Sequence, residues 1–116
     1  TQLAQLQNIF SELERSEGTP EMEDFDKQFH CLIGEASENT AIERTISWLW
    51  DLRSQSPFSR RYHRMIVTEG VYPGLEEHRN IFTALVDHDP TAARNAMHRH
   101  LIAATDSAAK HFNDPL

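Results

Sequence analysis

Asp26-Lys27-Gln28-Phe29-His30 is the stretch from which the rest of the chain can be read. Asp26 and His30 are four residues apart, so on a helix they stand about one turn apart on the same side. A carboxylate and an imidazole stacked in this way can hold one metal ion between them. The flanking residues support the helix, because Met22, Phe25, Phe29, Ile33 and Ala36 recur at helical spacing and make an apolar stripe. The predicted helix runs from about Pro20 to Ser37. Asp26 and His30 lie beside its stripe, on the side expected to face inward. Asp is a weak helix former and costly to bury alone, so its place there asks for a partner.

Upstream, Leu3, Leu6, Phe10 and Leu13 predict a first helix from Thr1 to about Glu17. Gly18 stops it, Thr19 offers a cap for the second helix, and Pro20 suits a first helical turn. Downstream, Thr40-Ala41-Ile42-Glu43 has the capping-box form and places the third helix start at Thr40. That helix continues through Ile46, Leu49, Trp50 and Arg53 to the break at Ser56-Pro57. Arg53 shares a side with Leu49 and Trp50, so its head can reach an internal cavity. The fourth helix spans about Pro57 to Glu69 with Phe58, Tyr62, Met65 and Ile66 as its apolar pattern, and a loop covers Gly70 to Gly74.

The fifth helix is expected to begin near Pro73 and carries Leu75, His78, Phe82 and Leu85, with His78 in a slot where leucine is expected. Asp87-His88-Asp89-Pro90 reads as a turn, with Asp89 as cap and Pro90 as first residue of a sixth helix reaching about Phe112. Ala93, Ala96, Met97, His100, Leu101 and Ala104 are expected on its inner side. No β-type alternation, glycine-rich phosphate loop or internal repeat interrupts this pattern, which specifies an all-α bundle of about six helices.

Length and charge limit the functions open to the chain. Its 116 residues suit one domain over 1–116. The formal charge of −7 argues against this segment gripping nucleic acid itself, since no basic stripe is present. No apolar run approaches the ~20 residues that span a membrane, and no signal peptide is visible. The lone Cys31 forms no intramolecular disulfide, reads as a small buried hydrophobe, and is compatible with a reducing, cytoplasmic compartment. The sequence opens in helical residues without a methionine, which suggests a piece of a longer protein.

Three of the seven histidines, His30, His78 and His100, fall on the inner sides of three different helices, and one is paired with Asp26. Four such N and O donors suit zinc, nickel, manganese, iron or cobalt, with zinc placed first. A single histidine on an apolar face is more often a hydrogen-bonded core residue, so the weight rests on the coincidence of three. His98 stands about 200° from His100 and is expected in solvent, as are His63, His88 and His111. Glu76 and Glu77 read as a solvated face, with a role as acceptor for a histidine as the alternative. Trp48 and Trp50 read as core and interface aromatics. No serine sits in a glycine-framed elbow, so a hydrolytic triad is unsupported.

The order Asp26-x-x-Phe29-His30, Ala36-Ser37-x-Asn39, Glu77-His78-Arg79 with Ile81, Ala84 and Asp89, then Ala92-Ala93-x-x-Ala96-Met97-x-x-His100-Leu101 resembles a known family. It is similar to the FCD domain, the C-terminal effector-sensing domain of FadR-subfamily GntR transcription regulators, over about Phe10 to Phe112. The resemblance implies an antiparallel bundle of six or seven helices enclosing a cavity. It also implies a divalent metal on Asp26, His30, His78 and His100, a small carboxylate effector, a homodimer, and DNA contacts made by an N-terminal winged helix-turn-helix domain absent from this sequence. Arg53 is the candidate to neutralise the far end of the effector. The competing readings are a helical metalloenzyme using the same Asp and His site, and a helical interaction module with core histidines and no metal.

Overall fold

The chain is all-helical in a computed structural model that describes residues 1–69 and 74–112. Six helices are present among the described residues: α1 (Gln2–Arg15), α2 (Met22–Ala36), α3 (Thr40–Gln55), α4 (Pro57–Glu69), α5 (Leu75–Val86) and α6 (Pro90–Phe112). The expected loop over Gly70 to Pro73, the expected helix start at Pro73, and the surface placement of His111 lie outside what is described. The chain divides into two compact units, Thr1–Val71 and Tyr72–Leu116. In the first, α1 packs on α2, α2 on α3 and α3 on α4; in the second, α5 packs on α6.

The helix ends follow capping chemistry. Ser56 Oγ accepts from the Ser59 N–H, and Asp89 Oδ1 accepts from the Ala92 N–H, so both cap-then-proline signals start helices as expected. Two predicted caps move. Thr19 donates both its N–H and its hydroxyl to the Ser16 carbonyl, which closes the end of α1 and leaves α2 to begin at Met22, without a side-chain cap. Asn39, not Thr40, caps α3: its Oδ1 accepts from the N–H groups of Ala41 and Ile42, and its extended backbone suits the role.

The turns α2–α3 and α5–α6 are built alike. Each places one non-glycine residue in the left-handed region, Glu38 (φ 57°) and His88 (φ 51°), immediately before the capping residue Asn39 or Asp89. Gly18, with φ 78°, does the corresponding work after α1. Gly34 matters for a different reason: a Cβ there would stand 2.9 Å from Ile46 Cδ1 and 3.4 Å from Glu43 Cα, so its bare backbone leaves room for the Ile46 side chain where α3 packs on α2.

In the first unit Leu6, Phe10, Leu13, Met22, Phe29 and Ile66 are buried, and in the second Ile81, Ala84 and Ala96. Helix α3 departs from expectation. It has no buried residue, and Ile42, Trp48, Leu49 and Leu52 are exposed, with Trp48 at 60%. Leu101 and Ala104 on α6 are exposed as well; the buried side is set by Ala96 and His100, and Leu101 stands about 100° round from His100. No helix among the described residues is long and apolar enough to cross a membrane.

Candidate metal and effector site

Helix α2 presents Asp26 and His30 as the i, i+4 spacing requires. Asp26 is buried, His30 nearly so, and His30 Nε2 lies 3.2 Å from Asp26 Oδ1. Two donors bonded to one zinc at about 2.0–2.2 Å stand roughly this far apart, so the pair has the edge of a coordination shell. The imidazole is held between aromatics: Phe29 meets it edge-on at 5.5 Å between ring centroids, and Trp50 of α3 stacks on it at 5.9 Å.

Helices α5 and α6 supply a second pair. His78 is fully buried and His100 is buried, with ring centroids 4.4 Å apart. His78 Nδ1 makes a short hydrogen bond to the Gly74 carbonyl, and His100 Nδ1 a long one, 3.4 Å, to Glu77 Oε1. A carbonyl can only accept, so Nδ1 of His78 carries the proton and Nε2 the lone pair; the Glu77 carboxylate imposes the same tautomer on His100. Metal-binding histidines are ordinarily fixed in this way, by a carbonyl or carboxylate on the other ring nitrogen. Burial raises the Glu77 carboxyl above its usual range, an effect that neighbouring His78 and a backbone hydrogen bond oppose. Glu76 instead pairs on the surface with Arg79 at 2.9 Å. Of the two glutamates, then, the one facing His100 is an acceptor and the other is solvated.

Arg53 is half-buried. Its guanidinium lies 4.5 Å over the Trp50 ring, and its Nε stands 3.4 Å from Glu23 Oε1. Glu23 Oε2 is in turn 3.1 Å from His63 Nε2. The sequence reading put His63 in solvent, but it is buried, with 8% of its surface exposed. Neither of its ring nitrogens has a hydrogen-bond partner, because the close Glu23 oxygen is off the line that a bond requires. An unmade bond of this kind costs roughly 1–3 kcal/mol. Glu23 and His63 were both missed by the periodicity argument, although signals existed. Glu23 is three residues before Asp26 on the same face, and His63 is three residues before the buried Ile66. His98 and His88 are exposed as expected, and Cys31 is half-buried with Sγ 3.9 Å from Ser47 Oγ.

The family model of the FCD domain matches residues 1–103. The chain is 33% identical over 78 residues to the Exu regulon transcriptional regulator of Escherichia coli K12, covering 67% of this chain and 30% of that protein. It is 32% identical over 78 residues to the Uxu operon transcriptional regulator of the same organism, covering 66% of this chain and 30% of that protein. The Uxu operon regulator of Haemophilus influenzae matches at 29% over 77 residues, 66% of this chain and 29% of that protein. The matched stretch is thus under a third of each relative's length. No solved structure matches the chain significantly.

Proposed function

The chain belongs to the FCD domain family, the effector-sensing domain of GntR-type transcription regulators, and from that premise we propose that it senses a small carboxylate through a bound divalent metal. Asp26, His30, His78 and His100 hold the ion, zinc first among the candidates. The observation that carries this reading is the pair of fixed imidazoles: His78 and His100 both commit Nδ1 to a protein acceptor, which leaves the coordinating tautomer at Nε2. Asp26 adds the negative charge that a divalent ion needs near neutral donors. The bound metal supplies a Lewis-acidic centre to which an anionic group attaches.

The protein's own side chains do the rest. Trp50 keeps the His30 ring in place by stacking, and Arg53, laid over the same indole, offers charge to the far end of the ligand. Binding favours one conformation of the regulator and so changes operator affinity in a DNA-binding part outside this chain. On this reading the domain acts in the cytoplasm, within a homodimer, and binds its ligand without converting it. The relatives are named as regulators of an Exu regulon and a Uxu operon, which supports control of transcription over turnover.

The test is calorimetry with a panel of small carboxylates on zinc-loaded and chelator-stripped chain. Binding by the loaded form alone supports the reading. Equal binding by both forms removes the metal from it.

A further inference from the structure

Helix α3 has two apolar sides. The inner one carries Ile46, Trp50 and Arg53, all half-buried, and the sensing reading uses Trp50 and Arg53. A second arc of about 120°, through Trp48, Ala41, Leu52, Thr45, Leu49 and Ile42, faces solvent. Its four large side chains are between 44% and 60% exposed. No charged residue falls within the arc. Its one hydroxyl, on Thr45, donates to the Ala41 carbonyl at 2.6 Å, so no polar side chain there lacks a partner. We propose that this outer face of α3 is where two copies of the chain pair, with the two α3 helices antiparallel about a two-fold axis; this rests on the homodimer of the reading above and not on its metal.

Charge and shape select the occupant. An uncharged face offers nothing to the phosphates of nucleic acid or to an anionic lipid surface, which basic side chains attract. Its shape fits its own copy. The N-terminal half of the arc is small, with Ala41 and Thr45 one turn apart, and the C-terminal half is bulky, with Trp48 and Leu52 one turn apart. Rows of residues four apart are the ridges and grooves by which helices pack. A two-fold axis between Ile46 and Ser47 sets Trp48 of each copy over Thr45 of the other, and Leu52 over Ala41. Each bulky half then fills the other's small one, whereas parallel helices would set bulk against bulk. The area is of the right size. The four large side chains leave on the order of 400 Å² of apolar surface in solvent, about half of the roughly 800 Å² that each partner gives to a standard interface. Pairing there would also back the sensing site, since Trp50 and Arg53 stand on the inner side of the same helix.

The experiment is sedimentation velocity over a concentration series, with wild type beside Trp48→Glu, Leu52→Glu, Ala41→Trp and Ile102→Glu. Each replaced side chain is exposed within one copy, so the variants are expected to keep the wild-type circular dichroism. Wild type is expected to dimerise. Trp48→Glu should weaken the dimer roughly 30-fold or more, the loss typical of a tryptophan anchor. Leu52→Glu should act in the same direction and decides the matter alone if Trp48→Glu does not fold. Ala41→Trp adds apolar area but blocks the small half, so it too should weaken pairing, whereas mere stickiness would strengthen it. Ile102→Glu on α6, where the side chain is 48% exposed, should leave the dimer unchanged. A dimer that survives both α3 glutamates, or that Ala41→Trp strengthens, overturns the assignment of this face and leaves the homodimer standing. Equal loss in Ile102→Glu overturns it as well. Wild type that stays monomeric at every concentration removes the face and the homodimer together, and the metal is decided separately by calorimetry.

Discussion

The α2–α3 and α5–α6 hairpins share a turn but use it differently. Both close through a left-handed residue, Glu38 or His88, followed at once by a capping Asn39 or Asp89. Beyond the turn they diverge. The first hairpin takes both of its metal-competent side chains, Asp26 and His30, from one helix, and its second helix buries nothing. The second hairpin takes one histidine from each helix and orients each ring through a separate acceptor. Local chemistry sets the turn, whereas the face each helix buries is set by its neighbours and by the polar groups it must place.

The largest expected effect breaks the second hairpin. His78→Ala removes a fully buried ring, so it should cost the metal-free chain about 3 kcal/mol in denaturant unfolding, within the range of buried large-to-small changes, and also abolish metal uptake. Asp26→Asn strikes the first hairpin in the opposite manner. It keeps an acceptor for His30 but deletes a buried charge, so stability in chelator should hold or rise. Zinc affinity, read by competition titration, should fall by more than the roughly 10- to 100-fold that losing an outer partner of a ligand costs.

Smaller effects test the shared turn. Glu38→Gly and His88→Gly should each raise thermal stability by up to about 1 kcal/mol, because glycine relieves the left-handed backbone while giving back part of the gain in chain entropy. A gain in one hairpin and a loss in the other would show that the two turns are not equivalent. The smallest effect belongs to α3. Leu49→Gln should leave stability within about 0.5 kcal/mol, since the side chain is already half exposed.

Much of this was legible in the residues. Ser56-Pro57 and Asp89-Pro90 start helices where those pairs stand, because a hydroxyl or carboxylate cap followed by proline has few other uses. Asn39 displaced Thr40 because the better cap sat one residue earlier in an extended conformation. Periodicity placed Leu49 inside and the arginine-rich surroundings of His63 placed it outside, and the structure reverses both. An apolar period says that a face exists, but it does not say whether a partner covers it. A histidine among arginines reads as surface until a neighbouring helix is known to lie over it. For the candidate site, Asp26, His30, His78 and His100 were selected by their helix faces, and all are buried or nearly so. The acceptors at Gly74 and Glu77 that fix the rings needed three-dimensional placement, since nothing in spacing distinguishes Glu77 from Glu76.

The central claim is a single divalent ion held by ligands from both pairs. Elemental analysis of the chain purified without chelator, beside an Asp26→Ala, His78→Ala double variant, tests it most directly. The account predicts about one divalent metal per wild-type chain and none in the variant. Wild type that carries no metal and takes up none at neutral pH would contradict it, and would leave the four residues as ordinary buried polar groups of a helical domain.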